Sequence, residues 1–175
     1  MMTIQGNFQE ALQFIDSSCQ QLECEGSCYY WLFFASLMLE DFEQAERYYD
    51  QMQDTSYDIG YVYYQLGKTE EAEKIFSEEI QKLQSNLDEE NGLNYLELAS
   101  IYAFQGDRDK ALANLAEYAK QGFTFGYQDF ILIDPFFESL RDDPEFKSIV
   151  KQAQQEKAAL RNQVREMEER GELTL

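Results

Sequence analysis

Apolar and small residues recur along the first 122 residues with helical spacing, and the segments that carry them recur about every 34 residues. In each copy a large residue and a small or apolar one precede a tyrosine. A glycine follows four residues after the tyrosine, an alanine five further on, and a bulky residue four after that. One copy is Tyr95, Leu98, Ala99, Tyr102, Gly106, Ala111, Leu115. A second is Ile59, Gly60, Tyr63, Gly67, Ala72, Phe76. A degenerate third is Tyr29, Leu32, Phe33, Ala45, Tyr49, with Glu40 in the glycine slot. A period of this length implies stacked helix pairs, in which small residues allow close approach and aromatics fill the gaps.

The pattern predicts helices at about residues 27–39, 42–53, 56–66, 70–84, 90–105 and 108–121. Glu40-Asp41, Gly67 and Gly106-Asp107 mark the turns between them. Thr69 and Asp107 are expected N-caps. An earlier helix is expected to start at Asn7, with Glu10 completing a capping box. Gly6 and Ala11 occupy the glycine and alanine slots of that helix. The helix that should pair with it has no room before Gly6, so the chain is expected to be the C-terminal part of a longer protein.

The slot alanines, Ala11, Ala45, Ala72 and Ala111, are 34, 27 and 39 residues apart. The short step predicts a trimmed turn near Asp54 and Thr55, and the long one an insertion around Ser85 to Asn91. Over roughly residues 6 to 122 these residues resemble the tetratricopeptide repeat (TPR). The resemblance implies an all-α, TPR-like α-solenoid of stacked antiparallel helix pairs. It also implies that the first helix of each repeat lines a concave, partner-binding groove. That places Tyr30, Phe34 and Met38 in the groove from the first copy, Tyr57, Tyr61 and Tyr64 from the second, and Leu96, Ser100 and Phe104 from the third. The lysines and asparagines with which chaperone-binding TPRs hold a terminal carboxylate are missing from these slots, so that clamp is not expected.

After Gly122 the period breaks, and Phe123 to Ile133 reads as a loop or a short turn of helix. Asp134-Pro135 and Asp143-Pro144 each set a capping acid before a proline, which predicts a short helix from Pro135 to near Arg141 and a long one from Pro144. The string Asp134-Pro135-Phe136-Phe137-Glu138-Ser139-Leu140-Arg141-Asp142-Asp143-Pro144-Glu145-Phe146 is similar to the segment that closes TPR arrays in bacterial multidomain signalling and transcription-regulatory proteins. The long helix should run to Arg170 and stop at Gly171, a length of about 40 Å. Its stripe of Phe146, Ile149, Val150, Ala153, Leu160, Val164 and Met167 suits a cap on the last repeat, and equally a coiled coil or docking along another helix. The chain is thus divided into repeats (1–122), a loop with a short helix (123–143) and a capping or association helix (144–171).

Charge narrows the partners. The chain of 175 residues carries 34 acids and 14 bases, a net −20, and no histidine. Residues 1–140 hold 26 acids and 7 bases, and residues 141–175 hold 8 and 7. So acidic a body repels phosphate backbones and anionic membrane surfaces, so neither nucleic acid nor membrane is an expected partner. No apolar run approaches the ~18 residues needed to span a bilayer, no secretory leader is visible, and a cytoplasmic location is expected. Cys19, Cys24 and Cys28 match neither a disulfide framework nor a zinc pattern. Without histidine there is no imidazole base, and no phosphate-binding glycine loop is present. Asp88-Glu89-Glu90 and Asp142-Asp143 lack the spacing of a calcium loop and read as solvated caps. No enzyme activity, cofactor or metal is expected. The leading reading is a protein-binding module of a bacterial regulator, taking an apolar or basic peptide or helix in a tyrosine-rich groove. Two alternatives stand beside it: a homodimerisation segment using the last helix, and a small-molecule sensor with an aromatic cleft.

Overall fold

In the structure, a computed structural model, residues 8–22, 27–52, 56–87, 92–120 and 131–172 are described, and among them every regular element is helical. The elements are α1 (Phe8–Leu22), α2 (Ser27–Met38), α3 (Phe42–Tyr49), α4 (Asp58–Gln65), α5 (Thr69–Ser85), α6 (Gly92–Phe104), α7 (Arg108–Lys120), a 3-10 helix (Pro135–Leu140) and α8 (Pro144–Glu169). They form two compact units, residues 1–82 and 83–175, with the division falling inside α5.

One local device closes each hairpin. After α2, α4 and α6 the chain turns through a residue with positive φ: Glu40 (59°), Gly67 (76°) and Gly106 (78°). In each turn the following amide bonds back to the tyrosine-slot carbonyl: Asp41 to Ser36 (3.0 Å), Lys68 to Tyr63 (2.8 Å) and Asp107 to Tyr102 (2.9 Å). A second bond runs from Glu40 to Leu37, Gly67 to Tyr64 and Gly106 to Ala103. This is the Schellman arrangement, which satisfies carbonyls left over at a helix end. The next helix starts at once. Asp41, Lys68 and Asp107 each accept, through their backbone carbonyl, the amide of the slot alanine four residues on. Those alanines, Ala45, Ala72 and Ala111, are fully buried.

Several expected boundaries move. The first residue of α5 is Thr69 itself, and Lys68 holds the cap position, because the Ala72 amide bonds to the Lys68 carbonyl. The expected helix to residue 53 stops at Tyr49, where Gln51 and Met52 tighten into bonds to the third residue back. Helix α4 starts at Asp58 rather than 56, since the Ser56 hydroxyl caps the Asp58 amide. The long step between Ala72 and Ala111 is partly taken up by α5, which runs 17 residues. Gly6, Asn7, Asp54, Thr55, Asp88, Glu89, Glu90, Asn91 and the stretch 121–130 lie outside the described residues.

In the first unit Phe33, Leu37, Ala45, Ile59 and Val62 make one core, drawn from α2, α3 and α4. In the second, α6 and α7 pack closely over Leu98, Ala99, Ile101, Ala111 and Leu115. The 3-10 helix lies on α6, where the Ser139 hydroxyl donates to the Ala103 carbonyl (3.1 Å) and Phe136 meets Phe104 edge-on at 5.6 Å. Helix α8 seats on α7 and buries Phe146, Val150 and Ala153, with the Phe146 ring 5.6 Å from Phe137 of the 3-10 helix. Its start is fixed twice. The Asp143 carboxylate accepts the Glu145 and Phe146 amides, and it is gripped by Arg108 of α7, which also reaches Glu145. Gly171, with φ 70°, closes the far end with the same Schellman pair of bonds.

Candidate partner-binding face

Helix α2 is the unusual element. Its twelve residues, SCYYWLFFASLM, include no charge, so its pattern gives no polar side to turn outward. Packing decides instead. Leu32, Phe33, Ala35, Ser36 and Leu37 are buried, Tyr30, Phe34 and Met38 are half-buried, and Trp31 is 53% exposed. Tyr30 meets Trp31 edge-on at 5.4 Å. The open side is therefore mostly aromatic, with Met38 at its end.

Helix α4 repeats this division. Ile59, Gly60 and Val62 are buried, and Tyr57, Tyr61 and Tyr64 fall on one face at steps of four and three. Tyr57 and Tyr61 are half-buried, and Tyr64 is 49% exposed. Phe42, at the start of α3, meets Tyr61 edge-on at 6.0 Å. Met38, Phe42 and Tyr61 all pack against the same core. Of the residues expected in the groove from these two repeats, Met38 and Tyr61 thus pack on one core.

The expected residues of the third copy lie in the second unit and are disposed differently. Leu96 and Ser100 are buried, and the Ser100 hydroxyl donates to the Leu96 carbonyl (3.1 Å). Neither offers a surface to a partner in this structure. Phe104 is half-buried, engaged with Phe136. Trp31 and Phe42, by contrast, were not singled out by the pattern. The signal for Trp31 was the uncharged run around it: a helix apolar on every side leaves some large residue outside unless it is wholly enclosed.

The electrostatics of the first unit are one-sided. Residues 1–82 hold 16 acids and 4 bases, and three of those bases are already engaged. Lys68 pairs with Glu46 and lies over the Tyr63 ring at 5.0 Å. Lys74 is 3.8 Å from Glu78, and Lys82 is 3.1 Å from Glu79. Burial pushes the Tyr49 and Tyr63 hydroxyls above the ordinary tyrosine range, so both stay neutral at physiological pH. Asp58 is different: enclosure raises its carboxyl to about 6, against the opposing hydrogen bond from the Ser56 hydroxyl (2.7 Å).

Among the described residues no group of three or more His, Cys, Asp or Glu is placed to hold a metal ion. No helix among them is long and apolar enough to cross a membrane. A family model described as a tetratricopeptide repeat matches residues 53–78, which include α4, the Gly67 turn and the first part of α5. Comparison with curated proteins and with solved structures found no match. Repeats of this family serve in general as non-enzymatic scaffolds for protein–protein interaction. Residues 53–78 thus form a tetratricopeptide repeat, and the same cap closes the hairpins before and after it in an all-α helical repeat fold.

Proposed function

We propose that the aromatic face of α2 and α4 binds a peptide or helix of a partner protein that is apolar at its centre and basic at its edges. The observation that carries this reading is Trp31, a large aromatic left 53% exposed on an uncharged helix. Aromatic residues with open faces are the residues that most often anchor interfaces. The residues expected in the groove, Tyr30, Phe34, Met38, Tyr57, Tyr61 and Tyr64, supply the rest of the proposed face. The acidic surroundings favour a cationic ligand and speed its encounter. The likeness of residues 134–146 to the ending of TPR arrays supports placing this module in a bacterial regulatory or signalling protein, in the cytoplasm. The net charge of −20 supports a partner that is protein rather than nucleic acid or membrane.

Trp31 is the sole tryptophan, so its fluorescence reports on the face directly. The probe is a synthetic helical peptide with Leu and Phe at steps of three and four, flanked by Lys and Arg, with a Glu-flanked version as control. The basic peptide should shift and quench Trp31 emission saturably, and the acidic one should not. Tyr64→Ala should weaken the effect with the helical content unchanged. Equal response to both peptides, or none to either at millimolar concentration, sinks the reading.

A further inference from the structure

We propose that the second half of α8, residues 154–169, pairs in parallel with the same helix of a second copy of this chain. The inference rests on different residues from the aromatic face and stands independently of it.

Only the first part of α8 is held by its own unit, through Phe146, Val150 and Ala153. Beyond Ala153 no residue of the helix is buried, and the aliphatic side chains of Leu160 and Val164 are 59% and 47% exposed. Yet the spacing does not change. Phe146, Val150, Ala153, Lys157, Leu160, Val164 and Met167 follow at alternating steps of four and three. A sustained repeat of this kind keeps one seam facing a single neighbouring helix. The neighbour is α7 for the first turns, and beyond them Lys157 and Met167 are half-buried while Leu160 and Val164 are exposed.

Charge selects the occupant. Residues 1–140 hold 26 acids against 7 bases, so two copies repel almost everywhere. Residues 141–175, with 8 acids and 7 bases, are the stretch through which they can approach. Beside the seam, Glu156 stands before Lys157 and Arg161 follows Leu160. In a parallel pair Glu156 of one helix comes opposite the partner's Arg161, and the two-fold axis makes that contact twice. Lys157 and Arg161 make no ion pair among the described residues, so both remain available. Lys157 sits in the seam itself. A lone lysine there costs affinity and limits the number of strands and their register. About two heptads of seam fall short of the ~800 Å² per partner of a standard interface, so the pairing is weak and concentration-dependent.

Sedimentation equilibrium of the full chain, from about 5 to about 500 µM, tests this. The wild type should show a monomer–dimer equilibrium. Lys157→Leu should tighten it at least about tenfold. Leu160→Glu with Val164→Glu should leave only monomer while the circular dichroism is unchanged, because both side chains are exposed. Glu156→Arg should weaken the dimer, and adding Arg161→Glu should restore it. A chain that stays monomeric at the highest concentration, in both the wild type and Lys157→Leu, overturns the proposal. So does a dimer that survives the double glutamate variant, or one that the charge swap fails to restore.

Discussion

Phe76 lies against the bare Cα of Gly60, so close that a Cβ there would sit 2.6 Å from ring atom Cε1 and 2.8 Å from Cζ. That contact seats α5 on α4 within the matched repeat. Gly60→Ala tests which effect wins. Alanine should gain about 0.5–1 kcal/mol from helix propensity. The ring, however, is only 2% exposed and has nowhere to swing. Overpacking should prevail, with a net loss of about 1–3 kcal/mol in urea unfolding. Phe76→Leu in the Gly60→Ala background should recover part of the loss, which a purely backbone effect would not allow.

The degenerate repeat carries two local flaws. Glu40 takes a left-handed φ of 59° where its counterparts are glycine. Ser36 occupies the tyrosine slot with a buried hydroxyl that has no hydrogen-bond partner among the described residues. Glu40→Gly should stabilise by about 1 kcal/mol, since the strain exceeds the added chain entropy. Ser36→Ala should be neutral or stabilising by up to about 1 kcal/mol, because removing an unpaired buried hydroxyl costs no bond. Thermal melting of the single variants and the pair reads both. A fall in melting temperature for Glu40→Gly would contradict the strain argument.

Asp58 makes stability depend on pH in a sense opposite to that of most carboxylates. Its carboxyl titrates near 6 when folded and near 3.8 when unfolded. The unfolded chain therefore gives up the proton first, and stability falls as pH rises from about 4 through about 6. Asp58→Asn removes that dependence and should stabilise the protein by about 1–2 kcal/mol at pH 7.5 while changing little at pH 4. The difference between wild-type and variant unfolding free energies across this range isolates the group from the other acids. A flat difference would show that Asp58 is solvated.

Asp143 has the usual sign. Arg108 beside it, with the Glu145 and Phe146 amides, holds its carboxyl below the ordinary range, so its contribution is lost as pH falls. Arg108→Gln should loosen the start of α8. Amide hydrogen exchange in the first turns of α8 should accelerate while α6 is unaffected, and the effect should shrink at high salt. Uniform acceleration across both helices would mean that Arg108 matters to the whole unit rather than to this junction.

The fold was legible where its cause is local. Gly67 and Gly106, and Glu40 in the same slot, were readable as turn residues because a Schellman cap needs only six consecutive residues. Ala45, Ala72 and Ala111 were readable as contacts because their distance from the cap is constant. Pro144 and Gly171 bracketed α8 to within a residue. The shortened α3 and the cap at Lys68 were less legible, since Gln51, Met52 and Thr69 are compatible with either state and helix ends fray.

The candidate site divides in the same way. Its aromatic composition and its acidic setting are properties of the chain alone, and so is the four-and-three spacing of the α8 stripe, which Lys157 interrupts. What the tertiary structure decided is which side of an uncharged helix stays open. In α2 it buried Phe33 and left Trp31 out. In α6 it buried Leu96 and Ser100, although the repeat register places them where Tyr30 and Phe34 stand. In α8 it covered Val150 and left Leu160 bare. Periodicity distinguishes an inside from an outside only when polar residues mark one of them. For a helix apolar on every side, or a stripe longer than its neighbour, burial depends on which element arrives from far along the chain, and no local pattern encodes that.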